Sequence, residues 1–494
     1  MTENKLPARV RFAPSPTGHM HLGSARTALY DYLIARQTGG TFILRIEDTD
    51  TKRYVPEAED EIIKGLKWLG IEVDEGPGIG GLYGPYRQSE RKDIYLEYAE
   101  RLIQLGKAYY CFCSPEHLST VRETQQKNKQ SIHYDGLCRD IPLDEAKKRI
   151  SSGEKHVIRF KTPKTGTTTV HDHLRGDITV ENSVLDDVIL VKSDGWALYH
   201  LAAMVDDHLM KITHVIRGSE WLPSFPLHSL ICRAFGWEEP IWIHLSVFLK
   251  PSGKGKMSKR ETVDLIKDGH SIFVKDLKDL GYVPEGVVNW ISLMGWSLDD
   301  HTEYFTKKDL IEKFSLDRLN PSPAAINFSK LDYFNGLHIR NLSDQELARR
   351  VLPYLLNAGI SASLEIMTKI APILKVRLPT LDEVVEMAGF FFKQEVYYPV
   401  EDLIVKGLVK EQCKQVLEGA YETLTKFTVL APDLVEPAMR EEVEKSGFSA
   451  GQYFGILRVA VTGQKVSPPL FESMEIIGKV TVLDRINKAI KSIG

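Results

Sequence analysis

The chain has 494 residues, a hydrophobic share of 43% and a formal net charge of only −4. At roughly 150 residues per domain, this length predicts about three domains. Because the net charge is slightly negative, a nucleic-acid partner would have to be bound by local basic patches. Five cysteines in so long a chain exclude a disulfide framework. The polar start lacks the apolar core of a signal peptide, and no run of about 18 apolar residues predicts a membrane span, so we expect a cytoplasmic protein.

The first elements alternate between strand and helix. Residues 8–13 read as a short strand, residues 24–36 as an amphipathic helix ended by two glycines, and residues 42–46 as a second strand. This strand–loop–helix–strand order predicts the opening of a parallel, Rossmann-type nucleotide-binding sheet.

Two more amphipathic helices are predicted at 58–71 and 90–106, after which the character of the chain changes. The segment from about 108 to 190 holds three of the cysteines and the β-prone run 156–160. It reads as an insertion, and we expect the sheet to resume near 188–190. Beyond about residue 330 helical periodicity dominates, with a capping-box pattern at 343–346.

Residues 14–24 (PSPTGHMHLGS) lie between the first strand and the first helix. Gly18 and Gly23 allow backbone to approach a ligand closely. The histidines and the amino end of the helix then face the same place, which suits a polyphosphate. The alternative is a Pro/Gly turn with a surface histidine.

Residues 250–260 (KPSGKGKMSKR) form a glycine-rich loop with four lysines, one arginine and no acid. Such a loop can close over a polyphosphate and neutralise the charge that develops on departing pyrophosphate. The alternative is a solvated charged loop, which is what most charge runs are.

Together the two segments resemble the paired motifs of class I aminoacyl-tRNA synthetases. Residues 21–24 (HLGS) stand where that class carries His-Ile-Gly-His, and residues 256–260 (KMSKR) where it carries Lys-Met-Ser-Lys-Ser. The departures Ser24 and Arg260 are usual in the glutamyl branch. The stretches 11–18, 45–50, 84–91 and 199–208 also resemble that branch, so the chain is similar to bacterial-type glutamyl-tRNA synthetases from about residue 8 onwards.

The resemblance implies an α/β fold with four regions. They are a split Rossmann-type catalytic domain (1–110 and 190–250), an acceptor-stem-binding insertion (111–189), a loop and stem-contact region (251–330) and an all-α anticodon-binding region (331–494). It also implies ATP, Mg²⁺, L-glutamate and tRNA(Glu) as partners, no membrane, and a monomer.

The resemblance assigns the site residues by role. Glutamate is expected to contact Arg11, Ser15, Glu47, Tyr199 and Arg217, which supply the cations, hydroxyls and anion that two carboxylates and an ammonium need. For ATP and catalysis the implied residues are His21, Gly23, Ser24, Lys256, Ser258 and Lys259. Those implied for tRNA are Asp207, Trp221 and Arg377.

Cys111 and Cys113 are followed by Cys138, and thiolates at this spacing can hold a zinc ion. The resemblance implies Tyr134 as the fourth ligand, with His133 as the neighbouring alternative. Three buried cysteines without a metal are the other interpretation. The basic residues of the helical region are further candidates for phosphate contacts: Arg340, Arg349, Arg350, Lys369, Lys375 and Arg377.

Four other functions agree less well with the sequence. A glutaminyl-tRNA synthetase reads the anticodon with β-barrels, whereas this C-terminal third is helical. The truncated relative that glutamylates a tRNA base is about 160 residues shorter. A nucleotidyltransferase of the same fold lacks the helical region, and a non-catalytic tRNA-binding protein would not need His21 and Lys259. An enzyme that also glutamylates tRNA(Gln) remains open.

Overall fold

The computed structural model describes residues 6–50, 53–257 and 262–494. The chain divides into two compact units. The first consists of residues 1–276 and 288–327, and the second of residues 277–287 and 328–494. Among the described residues, no helix is long and apolar enough to cross a bilayer.

All strands lie in the first unit. They are β1 (Arg9–Phe12), β2 (Thr41–Leu44), β3 (Ala108–Cys111), β4 (Val157–Phe160), β5 (Thr167–Asp172), β6 (Gly176–Glu181), β7 (Ile189–Val191), β8 (His214–Gly218), β9 (Ile241–Leu245), β10 (Phe248–Leu249) and β11 (Ala324–Ala325).

The helices of the first unit lie between these strands, singly or in runs. They are α1 (Leu22–Thr38), α2 (Pro56–Trp68), α3 (Lys92–Gln104), α4 (Pro115–Lys127), α5 (Leu143–Ser151), α6 (Tyr199–Leu209), α7 (Phe225–Phe235), α8 (Thr262–Lys267), α9 (Val274–Asp279), α10 (Pro284–Ser292) and α11 (Lys307–Lys313), of which α9 and α10 run across unit boundaries.

The central strands of the first unit are parallel. β1 pairs with β2 from Arg9↔Thr41 to Phe12↔Leu44, and β8 pairs with β9. Beside them, the Thr213 N–H donates to the Arg9 carbonyl at 2.9 Å, which places the start of β8 next to β1. At the turn into β2, a Cβ on Gly40 would lie 2.0 Å from the Ala8 carbonyl oxygen, so this close approach of two backbones requires glycine.

The carboxyl ends of β1, β2, β8 and β9 meet at one edge of the sheet. The segments that follow them are residues 13–21, 45–50, 219–224 and 246–249, and this edge is where open α/β sheets bind ligands. The topology therefore brings the predicted phosphate and amino-acid residues to one place.

The insertion contains an antiparallel sheet of its own, with the order β3-β4-β7. The prediction that the parallel sheet resumes near 188–190 is wrong, because Ile189 and Val191 of β7 pair antiparallel with β4. β5 is the element that rejoins the parallel strands, through Asp172↔Trp242. A short apolar run does not reveal which partner a strand will choose.

The second unit is helical throughout its described residues. Its helices are α12 (Phe328–Asn341), α13 (Asp344–Asn357), α14 (Leu364–Leu374), α15 (Val384–Ala388), α16 (Lys410–Thr425), α17 (Pro432–Ser446), α18 (Ala450–Thr462), α19 (Leu470–Ile477) and α20 (Lys479–Ile493). Ser343 caps α13 by accepting from the Glu346 N–H, which is one half of the predicted capping box. The predicted fold class, an α/β catalytic part followed by an all-α region, is confirmed.

Candidate active site

A cavity of about 770 Å³ opens at the carboxyl edge of the parallel strands. Most of the residues predicted for ATP and glutamate line it, together with Trp221 of the tRNA set, although they come from distant parts of the chain: Arg11, Ser15, His21, Gly23, Ser24, Glu47, Tyr199, Arg217 and Lys256. The remaining two of that set, Ser258 and Lys259, lie outside the described residues.

His21 caps the amino end of α1. Its Nδ1 accepts from the Ser24 N–H at 3.2 Å, and the Ser24 hydroxyl lies 3.2 Å from Nε2. A Cβ on residue 23 would lie only 3.0 Å from the imidazole Cε1, so glycine leaves room for this ring. The first turn of α1 holds no acid. The N–H groups of Leu22, Ser24 and Ala25 already have acceptors, so the Gly23 N–H, the positive end of the helix dipole and the imidazole are what this helix end presents to an anion.

The described part of the lysine-rich loop turns back on β10. The Met257 N–H donates to the Phe248 carbonyl at 3.0 Å, and the Lys250 N–H to the Gly255 carbonyl at 3.0 Å. Gly253 and Gly255 both have positive φ, at 74° and 80°, which the tight return needs. This turn brings Lys256 to the rim of the cavity.

Buried ion pairs position the base of the cavity. The Arg11 Nε donates to Asp207 Oδ1 at 3.0 Å, the Arg45 NH1 group donates to the same oxygen at 2.6 Å, and the Arg45 NH2 group donates to Glu47 Oε1 at 3.0 Å. All four side chains are at most 7% exposed. The two arginines outweigh the effect of burial and lower the pKa of Asp207, whereas burial raises the pKa of Glu47.

The predicted contact of Asp207 with tRNA does not fit this position. Its carboxylate is buried and bonded to two arginines. Asp207 thus holds Arg11 and Arg45 in place, a role that the motif at 199–208 did not distinguish from a ligand contact.

A second buried acid continues the network and was missed in the sequence. Asp206 accepts from Arg91 Nε at 2.7 Å, from the Gln88 amide at 2.9 Å and from the Tyr95 hydroxyl at 2.8 Å. It also forms an ion pair with Arg45 at 3.7 Å. The residues of this network lie in the three motifs 45–50, 84–91 and 199–208, but nothing in the spacing of these motifs shows that they meet.

Arg217 is the exception among these buried arginines, because every side chain it bonds to is neutral. Its Nε donates to His244 Nε2 at 2.9 Å, its NH2 group lies 2.9 Å from His228 Nδ1, and its NH1 group reaches the Tyr199 hydroxyl at 3.4 Å. None of the described acidic side chains bonds to it, and burial lowers its pKa. A guanidinium stays charged under these conditions and is costly to leave without an anion.

Tyr199 and Trp221 form one wall of the cavity. Their rings stack with centroids 4.2 Å apart and an interplanar angle of 28°. Burial raises the pKa of Tyr199, so its hydroxyl stays protonated and can donate a hydrogen bond. Ser15, in contrast, is exposed at the rim.

A second cavity, of about 900 Å³, lies at the amino ends of β8 and β9 beside His214 and Ile241. Of the predicted site residues it contains only Asp207. Its larger volume does not make it the active site, since the polar groups that converge in the first cavity are not among its lining residues.

Comparison with known proteins decides the family. The profile of class I tRNA synthetases (E and Q), catalytic domain, matches residues 7–333, and an anticodon-binding-domain profile matches residues 346–490. The glutamate–tRNA ligase of Dehalococcoides mccartyi is 43% identical over 98% of this chain and 97% of its own length, and that of Borrelia duttonii is 43% identical over 98% and 95%. The chain belongs to the glutamate–tRNA ligase family.

A solved structure agrees with this membership. The crystal structure of a glutamate–tRNA ligase from Elizabethkingia meningosepticum, in complex with its amino acid, superimposes with a TM-score of 0.88. The two sequences are 36% identical, and the superposition covers 99% of this chain and 100% of that one. The predicted resemblance is therefore confirmed over nearly the whole chain.

The insertion of this ligase-family chain gathers the predicted metal ligands. Cys113 Sγ lies 3.6 Å from Cys138 Sγ, and the Tyr134 hydroxyl lies 3.3 Å from Cys111 Sγ and 3.4 Å from Cys113 Sγ. Sulfurs around a tetrahedral zinc ion with Zn–S bonds of about 2.3 Å stand about 3.7 Å apart, so the donor set fits zinc. The structure favours Tyr134 over His133, and His117, close to Cys113, is an additional neighbour that the sequence did not suggest.

The predicted phosphate contacts of the second unit differ in their surroundings. Arg340 is exposed in the last turn of α12. Arg349, Arg350, Lys369 and Lys375 form ion pairs with acids of the same unit. Arg377 instead donates to the carbonyl of Ser467, which also accepts from Arg458 at 3.3 Å. Burial and the neighbouring Arg377 lower the pKa of Arg458. Two arginines converging on a carbonyl leave positive charge available for nucleic acid.

Proposed function

We propose that this chain attaches glutamate to tRNA in two steps at the first cavity, through a glutamyl-adenylate intermediate. The observation that carries the proposal is Arg217, a buried guanidinium whose own partners are neutral and which faces a cavity beside an anion-binding helix end. A ligand with a carboxylate side chain would supply the missing anion, and a neutral amide of the same shape would not.

Glutamate would be recognised at both of its ends. Arg217 and the Tyr199 hydroxyl contact the side-chain carboxylate, while Glu47, which forms an ion pair with Arg45, faces the α-ammonium. Arg11 lines the cavity while donating to both Asp207 oxygens and, at 3.4 Å, to the Ile216 carbonyl, so the second hydrogens of its NH1 and NH2 groups are those that serve the substrate carboxylates. Ser15 at the rim adds a hydroxyl.

In the first step an oxygen of the glutamate α-carboxylate attacks the α-phosphorus of ATP. The new carboxyl–phosphate bond forms as the bond to the β-phosphate breaks, and pyrophosphate leaves with the electron pair. His21, Ser24 and the Gly23 N–H at the positive end of α1 bind the phosphates, and the missing side chain of Gly23 keeps their approach open. Lys256, with Ser258 and Lys259 as predicted partners, neutralises the departing pyrophosphate. Mg²⁺ carried by the triphosphate supplies further charge neutralisation.

In the second step a ribose hydroxyl of the terminal tRNA adenosine attacks the adenylate carbonyl. The ester forms, AMP leaves, and its phosphate oxygen takes up the hydroxyl proton. No protein nucleophile is needed, because positioning and charge stabilisation supply the acceleration. Trp221, half-buried and stacked on Tyr199, is proposed as a wall of the path that guides the tRNA end.

A zinc ion held by Cys111, Cys113, Cys138 and Tyr134 is proposed for the insertion. Such a closed site has a structural role, since it ties β3 to the loop at 134–138 without an open position for chemistry. The insertion would then be rigid enough to contact the acceptor stem.

Arg377 is proposed to read the anticodon. An arginine that donates to a backbone carbonyl keeps other N–H groups for a base edge.

The names of the relatives mention glutamate alone, which does not favour charging of tRNA(Gln) as well. A monomer in the cytoplasm, where translation supplies the tRNA, stays our prediction.

Glutamate-dependent exchange of labelled pyrophosphate into ATP tests the activity, with and without tRNA(Glu) transcript. We expect exchange only with glutamate, and formation of an alkali-labile glutamyl ester when tRNA is present. His21→Ala should lower the exchange rate by about 100-fold, the loss expected for one stabiliser of the transition state. Exchange driven equally well by another amino acid would overturn the proposal.

A further inference from the structure

The guanidinium of Arg217 is held from two sides by imidazoles. His244 Nε2 and His228 Nδ1 each lie 2.9 Å from an N–H of Arg217. Both histidines are completely buried, and the arginine is 5% exposed. Because a guanidinium can only donate, both ring nitrogens must accept, and a histidine that accepts a hydrogen bond is neutral.

Outer partners determine which nitrogen of each ring carries the proton. His244 Nδ1 donates to Asp172 Oδ2 at 2.6 Å, and the other Asp172 oxygen accepts the backbone N–H groups of Leu174 and Arg175 at 3.1 and 3.0 Å. On the other side, His228 Nε2 donates to His200 Nδ1 at 3.0 Å. Each hydrogen bond therefore leaves the inner nitrogen free to accept from Arg217.

The surroundings keep these rings neutral. Burial lowers the pKa of His244 and lowers that of His228 well below its usual range, and nearby Arg217 acts in the same direction. Burial also lowers the pKa of His200 to about 4. The guanidinium also contacts the Tyr199 hydroxyl and the Trp242 ring, whose centroid lies 4.9 Å from its carbon. Asp172 stands behind His244, and the charges of Arg11 and Asp207 act on Arg217 in opposite directions without a hydrogen bond to it.

We propose that His228 and His244 are specificity-determining positioning residues, which hold Arg217 in a fixed orientation while leaving its charge unpaired. Asp172 and His200 act through them by fixing their tautomers. The inference rests on the proposed role of Arg217. A carboxylate in place of either imidazole would orient the guanidinium equally well but would satisfy its charge, so selection for a carboxylate substrate depends on the neutral partners as much as on the arginine.

The test exchanges one neutral acceptor for a charged one of the same shape. His228→Asn places an amide oxygen near the position of Nδ1, and His228→Asp places a carboxylate oxygen there. We would measure kcat and KM for glutamate and for glutamine in tRNA charging, together with the KM for ATP. His228→Asn should keep the glutamate-to-glutamine preference within about fivefold of the wild type, since it keeps a neutral acceptor.

His228→Asp should lower kcat/KM for glutamate by about 100-fold, mainly through KM, because the buried positive charge is already paired. The KM for ATP and kcat/KM for glutamine should change little. A purely structural role predicts instead that the two variants lower both amino acids alike, and that result would overturn the inference.

Three further variants separate the possible failures. If His228→Asp does not fold, as its thermal melting would show, the pair His244→Gln and His244→Glu repeats the test at the Nε side of the guanidinium. Arg217→Ala, measured alongside, tests the proposed function itself. Wild-type glutamate kinetics in Arg217→Ala would refute the role of the arginine. If Arg217→Ala is impaired but the Asn and Asp variants of His228 have equal kinetics, only the role of the histidines is refuted.

Discussion

The His21 imidazole can lie over the first turn of α1 because residue 23 has no side chain. A Cβ at Gly23 would come within 3.0 Å of that ring, whereas a Cβ at Gly451, at the same position of helix α18, meets nothing within 4 Å. Replacing either glycine by alanine removes backbone freedom from the unfolded chain and should stabilise a helix by about 0.5–1 kcal/mol.

Activity and stability should therefore separate in the Gly23→Ala variant. We expect its pyrophosphate-exchange kcat to fall about tenfold because the imidazole is displaced, with the melting temperature unchanged or higher. Gly451→Ala, the matched control, should keep full activity. Exchange kinetics and thermal melting of the two variants check this, and equal activities would show that the position of His21 does not limit the reaction.

At the residue scale, sequence reasoning located ligand-facing side chains better than the side chains behind them. His21, Glu47, Tyr199 and Arg217 stand in short motifs and line one cavity. The residues that position them are separated by long stretches of chain, such as Asp172 and His244, 72 positions apart. For a single histidine inside an apolar helix, such as His228 in α7, the neighbouring residues do not indicate which side chain it will bond to.

At the scale of elements, α1, β1 and β2 follow from periodicity and glycine positions, because both signals are local. The pairing of β7 does not follow. Its three residues are as apolar as a central parallel strand, and only the tertiary structure directs them to β4. β7 therefore belongs to the sheet of the insertion, beside β4.

The metal content of the insertion is the prediction at this scale. Protein purified without added zinc should contain about one zinc ion per chain, as expected for a closed site. Cys138→Ser should lose the ion, because it removes a sulfur 3.6 Å from Cys113 Sγ. Cys413→Ser, which changes a buried cysteine of the second unit, should keep it. Elemental analysis by mass spectrometry measures the zinc content of the three proteins, and metal-free wild-type protein would favour three packed cysteines.

At the scale of the whole molecule, the buried histidines make folding sensitive to acid. The folded-state pKa values of His200, His228 and His244 lie below the ordinary value of 6.5. Above that pH both states are neutral and the stabilisation is complete. As the pH falls from about 6.5 towards 4, the unfolded chain binds protons that the folded chain does not, so the free energy of unfolding decreases by up to about 1.4 kcal/mol per pH unit for each histidine.

Removing one of these groups should flatten that dependence. Between pH 7 and pH 5, we expect His228→Asn to lose about 1–2 kcal/mol less stability than the wild type. His171→Gln, at an exposed histidine, should behave like the wild type. Urea unfolding followed by tryptophan fluorescence at the two pH values checks this, and identical pH dependence in all three proteins would mean that folding does not lower the pKa of His228.

The two units also explain how a chain of net charge −4 can bind nucleic acid. Positive charge is concentrated locally, in the lysine-rich loop at 250–260 and around Arg377 and Arg458, while many other basic residues of the second unit are paired with acids. The overall charge thus predicts little about the partner, and the placement of unpaired arginines predicts more.

The central claim is that a buried arginine with neutral partners selects glutamate by its side-chain charge. The most direct measurement is kcat/KM for glutamate and glutamine in tRNA charging, in the wild type and in Arg217→Ala. We expect the kcat/KM of the wild type to be about 10⁴-fold higher for glutamate than for glutamine, as reached by sites that require one polar partner. Arg217→Ala should reduce it at least about 100-fold, through the glutamate KM and with the KM for ATP unchanged. Wild-type glutamate kinetics in Arg217→Ala, or comparable use of both amino acids by the wild type, would contradict it.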